Sequence, residues 1–249
     1  MNFLQSLQNP QVKGWKKLLT KKGRDQSNLF LVEGFHLVEE AIKANAVKEV
    51  MIREGIEIPD WLDDSIPVTG LTEEVTKVIA ETEHTQGIFA VCKQESRALT
   101  EFNAETILLI DGVQDPGNIG TMIRTADAAG IDLVILGKGS ADPYNAKVLR
   151  SAQGSHFHLP IVKEDLTNTI QTLKEKGIPL YGTALQNASS FKDAPSGEPF
   201  ALIMGNEGAG VNREFLDLTN QNLYVPIQGK SESLNVAVAA GILLFHLKG

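Results

Sequence analysis

At 249 residues, 42% of them hydrophobic and 22% charged, the chain has the composition of an ordinary globular protein with material for one large core or two modest ones. Its single cysteine, Cys92, excludes an internal disulfide and reads as a small buried hydrophobe, as suits a reducing cytosol. The N-terminus lacks a signal-peptide core, and the longest apolar run, Val236–Phe245, falls far short of the ~20 residues that span a bilayer, so a cytoplasmic location is expected. The net charge of −8 argues against a nucleic-acid partner, yet residues 1–24 carry Lys13, Lys16, Lys17, Lys21, Lys22 and Arg24 and no acid. Such a local patch attracts phosphates even on an acidic protein, because screening limits distant charges; a solvated helix face accounts for it equally well.

In chain order, Asn9 as N-cap and Pro10 at the first helical position open a helix that places Val12, Trp15, Leu18 and Leu19 on one face. A strand (29–33), a helix (35–44), a strand (47–52), a strand–helix pair (66–80) and a strand (87–93) follow. Together they make a small α/β domain over residues 1–95. The polar, weakly periodic stretch 96–104 reads as a linker. From 105 to 249 strands alternate with helices: strand 107–110 and helix 118–129, strand 133–136 and helix 146–153, strand 157–161 and helix 165–176, then strands 180–184, 201–204 and 223–226. The continuous apolar runs ILLI, LVIL and ALIM suit strands buried on both faces of a mostly parallel sheet. Ligands of such sheets bind at the carboxyl ends of the strands.

Three Gly/Asn-rich loops stand at those ends, after residues 110, 204 and 226. Familiar nucleotide fingerprints are absent: there is no G-x-x-x-x-G-K-[ST], and Gly208-Ala209-Gly210 continues into Val-Asn-Arg. No His/Cys/Asp cluster has metal-ligand spacing, and His156 and His158, two apart on a strand-like run, read as core or surface histidines, so no metal is expected. In the first loop Asp115-Pro116-Gly117-Asn118 reads as a turn ending in a helix N-cap, and Arg124 follows among apolar helix residues, where a cation needs an acid or a phosphate. In the second, Glu207 is flanked by Gly205 and Gly208, which let a backbone approach a ligand. In the third, Ser231 or Ser233 reads as the cap of an apolar helix, which puts Asn235 in its first turn in need of partners.

The patterns NxG…RTAxAxG (118–130), MGNEG (204–208) and PIxGxxxSLNVAxAxGI (226–242) resemble the three motifs of the SpoU/TrmH family of S-adenosylmethionine-dependent RNA 2′-O-ribose methyltransferases. SAQGSHFHLPI (151–161) is also similar to that family. The segment 30–52 resembles the family's N-terminal RNA-binding domain, akin to the L30e/L7Ae fold. The resemblance implies a C-terminal domain whose end is threaded into a trefoil knot, with S-adenosylmethionine bound in the knot. By position it implies cofactor contacts from Met204, Gly205, Gly208, Val225, Ile227, Ser233 and Leu234, with Thr183 and Ala184 at the rim. It implies polar catalytic positions at Asn118, Arg124, Glu207 and Asn235, and a homodimer packed through the C-terminal domain, its last helix (234–247) at the interface.

Arg124 corresponds to the family's proposed proton acceptor, but a guanidinium stays protonated in proteins, which favours a clamp on the target phosphate. Asn118 and Asn235 are then expected to orient Arg124 and the ribose, and Glu207 to order the loops. The basic N-terminal residues named above, with Arg150, are the expected RNA contacts. The most direct expectation is methyl transfer to structured RNA of the 23S rRNA type. A tRNA ribose methyltransferase, or a non-catalytic L30e-like RNA-binding protein with a knotted dimerisation domain, fits the same motifs.

Overall fold

The computed structural model describes residues 3–95 and 99–249, which form two compact units, Met1–Glu95 with Tyr144–Phe157 and Ser96–Pro143 with His158–Gly249. Of the expected linker 96–104, residues 96–98 lie outside the described residues, and Leu99–Glu101 form a short 3-10 turn.

The first unit is built from β1 (Phe3–Leu4), α1 (Pro10–Leu18), α2 (Lys21–Ser27), β2 (Leu29–Glu33), α3 (Phe35–Lys43), β3 (Val47–Arg53), β4 (Val68–Leu71), α4 (Glu73–Ile79) and β5 (Ile88–Lys93). Its sheet has the order β1-β4-β3-β5-β2; the β1–β4 and β4–β3 pairs are parallel and the other two antiparallel. Asn9 caps α1 as expected, its side chain accepting from the Gln11 N–H at 2.8 Å, and Val12, Trp15 and Leu18 turn inward onto Met51, Phe89 and Val91. Cys92 is buried on β5, where burial pushes its thiol pKa up. The other face of the sheet packs Phe30, Val32, Val38, Val50 and Ile88 against Leu149, with Tyr144 and Phe157 at the edge. The Phe30 ring lies 4.6 Å from Tyr144 and 6.2 Å from Phe157.

Arg24 corrects an expectation. It is 4% exposed, because α2, which periodicity does not reveal, folds back on α1. Its Nη1 donates to the Leu18 carbonyl at 2.8 Å, so this cation ties two helices together and cannot meet an RNA phosphate from the surface. Lys13, Lys16, Lys17, Lys21 and Lys22 are exposed on the same two helices.

The second unit contributes β6 (Thr106–Asp111), α5 (Pro116–Ala128), β7 (Leu133–Leu136), β8 (Ile161–Lys163), α7 (Leu166–Glu175), β9 (Leu180–Thr183), β10 (Ser189–Ser190), β11 (Phe200–Gly205), α8 (Arg213–Leu216), β12 (Gln221–Tyr224) and α9 (Val236–Lys248). The helix between β7 and β8, αX (Ala146–Ala152), belongs to the first unit. All seven strands are parallel, in the order β10-β12-β9-β11-β6-β7-β8. The runs ILLI, LVIL and ALIM are buried along their length in β6, β7 and β11, as continuous apolar strands covered on both faces must be. The chain steps from β6 outward through β7 to β8, then fills the other side of β6. The direction of winding therefore reverses between β6 and β11, the crevice where open α/β sheets hold ligands.

The strand expected over 157–161 is displaced. Ser155–Phe157 form a 3-10 turn and the strand is β8, so His156 and His158 do not share a strand face. His158 Nδ1 pairs instead with Asp127 Oδ2 at 2.9 Å. Among the described residues no group of His, Cys, Asp and Glu could hold a metal, and no helix is long and apolar enough to cross a membrane.

Candidate active site

The three loops converge at the carboxyl ends of β6, β9, β11 and β12. The first leaves β6 through Gly112 (φ +67°) and enters α5. There Asp115, not Asn118, is the N-cap: its Oδ1 accepts from the Gly117 N–H at 2.6 Å, and Pro116 takes the first helical position. Asn118 is thereby released for other bonds. The third loop likewise ends on Asn235 rather than on a serine. Asn235 caps α9, its Oδ1 accepting from the Ala237 and Val238 N–H groups at 2.9 and 3.3 Å, while Ser231 Oγ donates to the Ser233 carbonyl.

One hydrogen-bonded chain joins all three loops. Asn235 Nδ2 donates to Asn118 Oδ1 at 2.9 Å, and Asn118 Nδ2 donates to Glu207 Oε1 at 3.0 Å. Glu207 also accepts from the backbone N–H groups of Gln114 and Asp115, at 3.2 Å each, so one carboxylate fastens the second loop to the first. The donor and acceptor ends of both amides follow from this chain, because a carboxylate only accepts.

Burial alone would raise the Glu207 pKa. The bonds from Asn118 and the backbone outweigh it and hold the carboxyl below its ordinary value. The sign follows: a carboxylate whose folded pKa is depressed contributes stability above its unfolded pKa of about 4.3, and that contribution is lost as pH falls through the folded value. The melting-temperature gap between wild type and Glu207→Gln is therefore expected to be constant from pH 7 to about 5 and to narrow as pH falls below about 4.3. A gap that does not narrow between about pH 5 and the acid limit of folding would show that the Glu207 charge does not hold the loops.

The second loop owes its shape to Asn206, which the sequence analysis passed over. Its Oδ1 accepts from the Gly208 and Ala209 N–H groups at 2.9 Å each, and its Nδ2 donates to the Gly112 carbonyl at 2.8 Å. Asn206 and Gly210 also exchange backbone bonds of 3.0 and 2.9 Å, closing a tight turn back over Gly205. The signal was present in the sequence: an Asn inside a glycine loop commonly organises that loop by bonding the N–H groups that follow it.

Beside this chain lies an open cavity of about 450 Å3. Of the residues expected to hold the cofactor, Thr183, Ala184, Met204, Gly205, Val225, Ile227, Ser233 and Leu234 line it, and Gly208 does not. Glu207 and Asn235 are also in the wall, with Leu185, Asn206 and Tyr224, which sequence reasoning missed. Thr183 is held by its hydroxyl, which donates to the Ile203 carbonyl at 3.0 Å.

Arg124 is not brought to the cavity. It follows Asn118 by six residues of about 100° each, so it leaves another face of α5, exposed and with no hydrogen-bond or ion-pair partner among the described residues. Arg150 lies on αX in the first unit.

A family model described as the SpoU rRNA Methylase family matches residues 105–245, and one described as an MRM3-like substrate binding domain matches residues 9–90. Over 250 aligned positions, covering 100% of both chains, the protein is 53% identical to the 23S rRNA (guanosine(2553)-2′-O)-methyltransferase RlmP of Bacillus subtilis (strain 168). Its structure is similar to that of the AdoMet-bound rRNA methyltransferase from Sinorhizobium meliloti, with a TM-score of 0.89 and 29% identity over 99% of this chain and 97% of the other. It is also similar to that of the SpoU methyltransferase AviRb from Streptomyces viridochromogenes in complex with AdoMet, with a TM-score of 0.86 and 26% identity over 96% of this chain and 97% of the other.

Proposed function

The chain belongs to the SpoU rRNA methylase family, and from that premise we propose that it transfers a methyl group from S-adenosylmethionine to the ribose 2′-hydroxyl of a guanosine in 23S rRNA. The observation that carries this reading is the cavity at the carboxyl ends of β9, β11 and β12, walled by the second and third loops and edged by the Asn235–Asn118–Glu207 chain. The identity to RlmP runs through both units, which supports the ribosomal over the transfer-RNA substrate, and the guanosine 2553 named for RlmP is the nucleotide proposed.

The cavity suits the cofactor. Met204, Val225, Ile227 and Leu234 supply apolar surface for an adenine. The trefoil knot expected from the resemblance belongs to this proposal, with the second and third loops as its cradle. When bound, S-adenosylmethionine supplies an electrophilic methyl group on a sulfonium sulfur.

The protein's own share is positioning. Glu207 is ionised and fully engaged, so it orders loops and is not a proton acceptor at neutral pH. Asn118 and Asn235 fix the edge of the site, and Arg124, with its donors uncommitted, clamps a phosphate of the target nucleotide. The exposed lysines of α1 and α2 draw in the RNA backbone.

The test is a map of 2′-O-methyl marks in 23S rRNA from cells with and without the gene. Loss of one guanosine mark, restored by the purified protein with S-adenosylmethionine, is expected. An unchanged map, or loss of a tRNA mark instead, would overturn the assignment.

The homodimer and the cytoplasmic setting belong to the same proposal. On α9, Ala240, Leu243, Leu244 and Leu247 turn inward, while Val238 and Phe245, seven residues apart and 52% and 55% exposed, share an outer face. Sedimentation at twice the 27.0 kDa chain mass is expected. Phe245→Glu should shift the protein toward the monomer, and a wild type that sediments as a monomer would remove the interface.

A further inference from the structure

The first unit carries a second concave pocket, of about 280 Å3. Its wall includes Glu33 and His36 from the β2–α3 junction, Gln86 from the loop before β5, and Arg150 and Gln153 from αX and its C-terminal cap. The helix αX lies between the first two methylase motifs in sequence, yet its Arg150 is delivered to this wall.

Backbone groups orient the polar side chains here. Gln86 Oε1 accepts from the Phe35 N–H at 2.8 Å, which fixes the amide and leaves Nε2 as a donor. Gly34, at φ +101°, makes that possible, since a Cβ there would come within 2.8 Å of the same oxygen. His36 Nε2 donates to the Gln153 carbonyl at 3.0 Å, which fixes the ring. Arg150 is half-buried and brings a cation to the wall.

The Glu33 carboxylate in the wall disfavours a bare phosphate. A nucleobase edge, in contrast, presents donors and acceptors side by side, as this wall does. The volume, just under the roughly 300–1,000 Å3 of drug-sized sites, suits one base and not a duplex. Sequence-specific RNA recognition reads such bases, splayed out of loops and bulges. We infer that this pocket receives one unstacked base of the substrate RNA, with Gln86 and Arg150 reading its edge. The inference rests on the RNA substrate proposed above and adds a nucleotide-reading site to it.

The experiment measures binding of 23S rRNA to the full-length protein across a salt series, for wild type, Gln86→Ala and Arg150→Gln, with S-adenosylmethionine affinity and melting temperature alongside. Gln86 is exposed, so its variant stays folded even if Arg150→Gln does not. Each substitution is expected to weaken RNA binding at least about tenfold, at an unchanged slope of log K against log salt and unchanged cofactor affinity. A slope smaller by about 0.7–0.9 in Arg150→Gln would make the contact a phosphate and overturn the base assignment. Wild-type affinity in the Gln86 variant would also overturn it. Methyl transfer by the wild type separates the two readings: if it methylates rRNA while Gln86→Ala binds normally, only the pocket fails, and if it neither binds nor methylates rRNA, the proposed function fails with it.

Discussion

Arg124→Ala is expected to lower methyl transfer to rRNA by about 100-fold or more while S-adenosylmethionine affinity stays within about threefold of wild type. A clamp of this kind acts by positioning, and a misplacement of about 1 Å at the reacting group can cost about 100-fold in rate. The split between the two readouts follows from position. Arg124 does not line the cofactor cavity and bonds to nothing among the described residues, so neither cofactor binding nor the packing of α5 depends on it. Arg124→Lys keeps the charge but loses the planar fork, and should recover only part of the rate. The measurement is transfer of labelled methyl groups beside calorimetric cofactor titration. Wild-type turnover in Arg124→Ala would remove this residue from the mechanism.

Gly205→Ala is expected to have the reverse signature, with cofactor affinity lost first. A Cβ at Gly205 would lie 2.1 Å from the Val211 nitrogen and 2.3 Å from the Gly210 carbonyl carbon, and both are backbone atoms that no rotamer change can move. The turn from Asn206 to Gly210 must therefore open, which takes Asn206 off Gly112 and Glu207 off the first loop. Such overpacking costs about 1–3 kcal/mol, a fall in Tm of roughly 2–12 °C for a chain of this size. Cofactor affinity should drop by about 100-fold or more, since the cavity wall itself is rebuilt. Tight binding of S-adenosylmethionine by Gly205→Ala would mean that the turn is not part of the cradle.

The buried strands were legible because strands covered on both faces must be apolar at every position, and β6, β7 and β11 are. The three loops were legible for a related reason: glycine and asparagine cluster where regular pairing ends. What was not legible depends on contacts distant in sequence. Arg24 sits in a run of exposed lysines and differs from them only because α2 turns back on α1, where a Cβ on Gly23 would fall 2.0 Å from the Lys17 carbonyl oxygen. The apolar face of αX is visible as periodicity, but periodicity does not say which core will receive it. Asn235 was singled out as a polar group in need of partners, but the caps expected of Asn118 and of Ser231 or Ser233 fall to Asp115 and Asn235, because Asp, Ser and Asn compete for the same position at a helix start.

The placement of Tyr144–Phe157 bears on how the protein is made. The first unit is not complete when residue 95 leaves the ribosome. The side of its sheet that carries Phe30 waits for Leu149, Tyr144 and Phe157, which are synthesised only after β6, α5 and β7. Domains that fold as they emerge, N-terminal part first, do so on a chain growing at about 5–20 residues per second. The nascent chain thus holds an uncovered aromatic face for several seconds, and a polypeptide truncated at residue 95 would keep it permanently, as a sticky fragment and not as an isolated RNA-binding module.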